Sequence, residues 1–139
     1  MILRSIAAAI VVLCTVVAAD PVPFKLLDRG DVSGIEEPRT VVVRTAADWK
    51  TLNTRRGGRA SKPVDFSRST VIGVFLGTRP SGGFSVEITG IERQGKELIV
   101  SWREKKPGAD QMVTQVLTAP YQLVTIDKFD GPVKFTRAD

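Results

Sequence analysis

FSVEITGIERQGKELIVSWR, residues 84–103, decides the fold. Phe84, Val86 and Ile88 alternate with Ser85, Glu87 and Thr89, which gives the segment one apolar and one polar face, the period of a half-buried strand. Gln94-Gly95-Lys96 supplies a turn, and Leu98, Val100 and Trp102 alternate again beyond it. Residues 84–103 are therefore expected to form a β-hairpin. Upstream, Thr70–Leu76 (TVIGVFL) is continuously apolar, as expected of a strand covered on both faces, and is the expected central strand. TRPSGG, residues 78–83, joins the two: Pro80 stiffens the approach, while Gly82 and Gly83 can take positive φ and reverse the chain.

Working outward, Glu104–Gln111 is a polar loop punctuated by Pro107-Gly108. Met112–Thr118 and Tyr121–Ile126 are expected strands on either side of Pro120, which calls for a bend or a sheet edge. Val133–Phe135 is a last short strand. Towards the N-terminus, Phe24–Leu27 is a short strand and Arg39–Arg44 a β-branched one. Thr45-Ala-Ala-Asp48 is a capping box with Asp in the place of Glu, opening a helix over Ala46–Arg56 that Gly57-Gly58 ends. Ala46, Trp49 and Leu52 fall at helical spacing on one face. The fold expected is mainly β, in the α+β class: an antiparallel β-sandwich or half-barrel with one short helix packed on it.

The chain has 139 residues, suited to one domain with a modest core. Met1–Arg4 is a positive start, Ser5–Val17 an apolar run and Val17-Ala18-Ala19 a small-residue cleavage pattern, so residues 1–19 are expected to be a secretory signal peptide. Residues 20–139 would then be a single exported domain, periplasmic or extracellular, with no spanning segment; retention of the signal as an anchor is the alternative. Cys14 is the only cysteine. It lies in that apolar run behind Leu13, where lipidation wants a small residue. A mature chain without cysteine has no disulfides and no thiol chemistry. Histidine is absent altogether, which removes the usual general base and the commonest metal ligand, so neither a Ser-His-Asp array, a metal nor a cofactor is expected.

The glycine turn could cradle a phosphate, but that design feeds a helix N-terminus, and in its nucleotide form ends in Gly-Lys-Ser/Thr, whereas this turn feeds a strand. Ser81 could be a nucleophile, but without histidine only a lysine or carboxylate could activate it, and none of Lys25, Lys62 and Lys106 is placed beside it by the sequence. The turn is thus structural, with Arg79 and Ser81 presented as binding side chains. Trp49 and Trp102 sit on apolar faces and are expected in the core. Tyr121 either caps the core or marks an interface. The carboxylates are dispersed, and none has calcium-loop spacing. Net charge is +5. The densest basic run is Arg55–Lys62 (RRGGRASK), where Arg55, Arg56, Arg59 and Lys62 form either a patch for anionic polymers or lipid surfaces, or a solvated helix exit. No aromatic side chains interleave with these charges, so nucleic acid is not an expected partner.

VIGVFLGTRPSGGFSVEITGIERQGKELIVSWREKKPG (71–108) followed by MVTQVLTAPYQLVTI (112–126) resembles the PrcB C-terminal domain family. The likeness covers Thr70 to about Phe135 and rests on Gly77, Gly82, Gly83, Phe84, Pro107, Gln115, Thr118, Pro120 and Tyr121. Phe84 stands where the family commonly has tyrosine, so no role for a hydroxyl carries over. The resemblance implies an exported bacterial accessory domain. The family's namesake is a non-catalytic subunit of a surface protease complex and supports the protease's stability. The expected function is accordingly a non-catalytic interaction domain for another exported protein, by the resemblance a protease. Its candidate contacts are Arg79, Ser81, Gly82, Gly83, Phe84, Gln115, Thr118, Pro120 and Tyr121. The alternative is a basic envelope protein that binds anionic polymers or lipid surfaces.

Overall fold

The computed structural model describes residues 10–13, 18–58 and 62–139. Most of the expected signal segment, including Cys14, and Arg59 of the basic run lie outside them. Among the described residues nine elements follow in order: β1 (Ala19–Pro21), β2 (Lys25–Gly30), β3 (Arg39–Val43), α1 (Ala46–Arg55), β4 (Ser69–Phe75), β5 (Ser85–Gln94), β6 (Glu97–Lys105), β7 (Tyr121–Asp127) and β8 (Val133–Arg137). The strands form two four-stranded sheets, ordered β1-β5-β6-β8 and β2-β7-β4-β3. They pack face to face as a sandwich, not a half-barrel, and α1 covers the outer face of the second sheet.

The hairpin forms as its alternation dictates. Gly95, at φ +62°, opens the two-residue turn between the closing pair Gln94 and Glu97. A bulge between Ile88 and Gly90 inserts Thr89. That extra residue resets the alternation, so Ile88 and Ile91 both point into the core although they are three apart.

The continuously apolar strand β4 lies between β3 and β7 and is covered on both sides. Ile72 and Val74, with Leu76 just beyond the strand, join Val86, Ile88, Val100 and Val124 between the sheets. Val71 and Phe75 turn the other way, towards Trp49 and Leu52 of α1 and towards Tyr121 and Leu123 of β7. Gly73 shares that second face, where an added Cβ would lie 2.5 Å from Leu123 Cδ2 and 2.8 Å from Val41 Cγ2. Only a hydrogen atom fits there.

The helix starts as expected: Thr45 Oγ1 accepts the Asp48 N–H at 3.1 Å, the first half of the capping box. Its exit runs through Gly57 and Gly58 at φ +86° and +66°, and the Gly58 N–H donates to the Asn53 carbonyl at 2.9 Å.

The structure corrects three expectations. Met112–Thr118 is not a strand; among the described residues its only bridge pairs Thr118 with Arg79. The composition favours a strand, but β preference measures fit to a pleated neighbour, and this stretch crosses the end of the sandwich where no strand lies beside it. β8 runs parallel to β6, so the first sheet is not wholly antiparallel. It arrives by a crossover from β7 in the opposite sheet, a direction that periodicity does not encode. The crossover is pinned by Thr70 Oγ1, which accepts the Phe129 N–H at 3.0 Å, and by Arg44, whose Nε donates to the Phe129 carbonyl at 3.0 Å. Finally, β1 was not foreseen. It straddles the expected cleavage point, with Ala19 opposite Gln94 and Asp20 opposite Arg93.

Candidate interaction surface

The glycine turn is held from several sides. Gly77 sits at φ +78°, and a Cβ there would fall 2.7 Å from the Glu36 carbonyl oxygen. Position 77 therefore requires glycine twice over, by backbone conformation and by space. Arg79 and Thr118 exchange main-chain hydrogen bonds at 2.7 and 3.0 Å. Thr118 Oγ1 also donates to the Ser81 carbonyl at 2.8 Å, and the Gly82 N–H donates to the Thr114 carbonyl at 2.8 Å. Gly83, at φ +89°, packs so closely that a Cβ would lie 2.7 Å from Val113 Cγ1 and 2.8 Å from Pro107 Cβ. These contacts bind the turn to the segment that follows β6.

Arg79 is less available than the sequence suggests. Its Nε donates to Glu104 Oε1 at 2.6 Å, and its Nη1 to the Leu76 carbonyl at 3.0 Å. Glu104 Oε2 in turn accepts from Arg137 Nη2 at 2.9 Å. The Glu104 side chain is only 3% exposed. The Arg79 hydrogen bond, with help from Arg137, holds its carboxyl below the usual range against the opposing effect of burial. Arg137 also lies 5.2 Å from the centre of the Trp102 ring. One buried carboxylate thus joins the turn, β6 and β8.

Ser81 Oγ donates to the Gly82 carbonyl at 2.9 Å, and among the described residues no lysine or carboxylate is hydrogen-bonded to it. Phe84 is half-buried and Gln115 is exposed. Pro120 is fully buried, and its carbonyl accepts the Leu76 N–H at 3.0 Å. Tyr121 caps the core: it is 4% exposed, and its ring stacks on Phe75 with centres 5.9 Å apart. Its hydroxyl donates to Asp28 Oδ2 at 2.8 Å. The signature residues therefore divide, Gly77, Gly83, Thr118, Pro120 and Tyr121 serving the scaffold while Gln115 stands in solvent.

The described members of the basic run, Arg55, Arg56 and Lys62, have different surroundings. Arg56 is buried, 4.4 Å above the Tyr121 ring, with Nη2 donating to Asp28 Oδ2 at 3.2 Å. It closes the helix exit onto the sheet, because Gly57 and Gly58 turn the chain immediately after it. Arg55 is exposed but pairs with Glu37 at 2.8 Å. Lys62 is exposed.

Two of the surface clefts border Tyr121 and Arg79 respectively. One, of about 490 Å³, lies between the sheets and mixes Arg29 and Lys105 with Asp31 and Glu87. Arg103 lowers the pKa of Glu87, which it binds at 2.9 and 3.1 Å, so that carboxylate is held as a charge partner and not poised as a base. The other, of about 320 Å³, has Val74, Leu76 and Trp102 with Arg39, Arg79 and Arg137. Among the described residues no cluster of three or more His, Cys, Asp or Glu could hold a metal ion. Nor, among them, is any helix long and apolar enough to cross a membrane.

Reading by residue type missed two features. Glu104, expected to open a polar loop, instead lies buried in β6 and continues the inward phase of Leu98, Val100 and Trp102, just as Arg137 continues that of Val133 and Phe135. A charge on the inward phase of a strand calls for a buried partner, and these two partner each other. The second feature is exposed apolar surface: Met112 is 97% exposed and Leu117 73%. No local pattern marked it, because the same residues would have been half-buried in the expected strand.

The described residues thus form a two-sheet β-sandwich with one short helix on its outer face. The model of the family described as PrcB C-terminal matches residues 70–127, from β4 through the hairpin to the end of β7, and supports a PrcB C-terminal domain-like assignment for this region. No curated protein and no solved structure matches the chain.

Proposed function

We propose that this protein is an exported, non-catalytic accessory domain that binds another exported protein, by family a protease, and supports its stability. The observation that carries the reading is the match of residues 70–127 to the PrcB C-terminal family. The geometry around the signature residues agrees with it. Ser81 bonds to its neighbour's carbonyl, Glu104 is ion-paired with two arginines, and Tyr121 is locked under Arg56. None of these groups is set to make or break a bond. The signal-like start of the sequence supports export.

Affinity purification of the tagged mature chain from envelope and secreted fractions tests the reading. A co-purifying exported protease whose lifetime shortens when this gene is deleted is the expected result. Absence of any specific exported partner across a range of salt and detergent would overturn it, and salt-sensitive retention on a polyanionic resin would favour the basic-envelope alternative.

A further inference from the structure

Within the folded domain, the segment Met112–Leu117 carries apolar side chains that its neighbours leave exposed. Met112, Val116 and Leu117 are 97%, 55% and 73% exposed, and Val32, 50% exposed, is joined to their strip through the bridge between Val32 and Ala119. Scattered exposed apolar residues are ordinary; three within one short segment are not. No charged residue stands between Asp110 and Asp127, although a quarter of the chain is charged. Among the described residues, no main-chain N–H from Met112 to Leu117 has a hydrogen-bond partner. The segment is nonetheless anchored, at Thr114 by Gly82, at Val113 close against Gly83, and at Thr118 by Arg79 and Ser81. Apolar side chains, open main-chain donors and fixed ends together make a strand template without its strand.

We propose that Met112–Leu117 is the docking segment for an extended, apolar, uncharged stretch of a different polypeptide, which covers these side chains and hydrogen-bonds to the open main chain. This rests on the reading of the protein as an interaction domain and adds the place and chemistry of the contact. A lipid surface would cover the side chains but leave the N–H groups unsatisfied in hydrocarbon. A second copy would need the same backbone shape on both sides of a two-fold axis, and the bend at Val116 would interrupt the ladder from both chains at once. A different chain can follow that bend.

The test places a photo-crosslinking benzoylphenylalanine at position 117 of the full chain in its own cells, with a control at Leu26, which is 53% exposed on β2. Position 117 is expected to yield a covalent adduct with one polypeptide, absent from position 26 and lost on adding Val116→Asp. The purified Val116→Asp variant should keep its thermal midpoint and bind that polypeptide at least about tenfold more weakly. Adducts to lipid or to a second copy, or equal labelling from both positions, overturn the proposal. A partner retained at full affinity by Val116→Asp overturns this surface but leaves the accessory reading intact. No partner for any form of the protein overturns both.

Discussion

On β6, Leu98 and Val100 lie between the β5 and β8 ladders with their side chains in the inter-sheet core. A short loop later, Met112–Leu117 holds comparable β-favouring side chains and has no ladder on either side. Composition does not separate the two stretches; neighbours do. β6 follows a two-residue turn that returns it directly against β5, so its pairing is enforced locally. Met112–Leu117 follows the Pro107-Gly108 loop and is drawn across the end of the sandwich by Gly82 and Arg79, away from any strand. Strand preference becomes a strand only where another strand is within reach.

The largest expected effect breaks the paired member of this comparison. Leu98 is 1% exposed. Leu98→Ala should cost about 2–5 kcal/mol of unfolding free energy, the lost transfer of the side chain plus a cavity between the sheets. Denaturant unfolding of the mature domain measures it, and a loss below about 1 kcal/mol would show that this layer can collapse around the gap.

Next comes the carboxylate that ends the inward phase of β6. Glu104→Gln keeps the shape but removes the charge that Arg79 and Arg137 share, at an expected cost of about 1–3 kcal/mol near neutral pH. The folded-state pKa of Glu104 lies below its ordinary value of 4.5. A lowered pKa contributes stability that is fully present above the unfolded value and lost as pH falls through the folded one. The gap between wild type and variant should therefore be constant from neutral pH down to about 5 and close progressively below 4.5. A gap that widens on acidification would contradict the ion-pair assignment.

The hairpin, the doubly covered β4 and the capped helix were legible because each is fixed by near neighbours in the chain: alternation across Gly95, an unbroken apolar run, and Thr45 three residues ahead of Asp48. What was not legible depends on contacts distant in sequence. The parallel course of β8 follows from a crossover, the pairing of Glu104 with Arg137 spans both, and Arg56 is buried because Asp28 and Tyr121 wait on the sheet beneath the helix exit. Arg55 and Arg56 look alike in sequence, yet Arg55 is exposed and pairs with Glu37 while Arg56 is buried against the sheet, since a single residue step at the helix end decides which guanidinium meets it.

A smaller effect is expected at the hinge between the two regions. Thr118 is 7% exposed, and Thr118→Val keeps its volume but loses the hydroxyl bond to the Ser81 carbonyl. The cost should be about 0.5–1.5 kcal/mol by denaturant unfolding. Amide exchange should quicken at Gly82, whose N–H bonds to Thr114 on the same segment, while exchange in β5 and β6 is unchanged.

The smallest effect is the most discriminating. Leu117→Ser exchanges a side chain that is 73% exposed and should alter stability by less than about 0.5 kcal/mol. Set beside Leu98→Ala, it removes a similar apolar side chain from a segment of similar composition, so the difference between the two measurements isolates the contribution of the missing neighbour. If Leu117→Ser proves as costly as Leu98→Ala, the segment is packed in solution and the contrast fails. If stability is untouched while binding of a partner falls, the leucine is exposed for the partner's sake, and the unpaired stretch is incomplete without it.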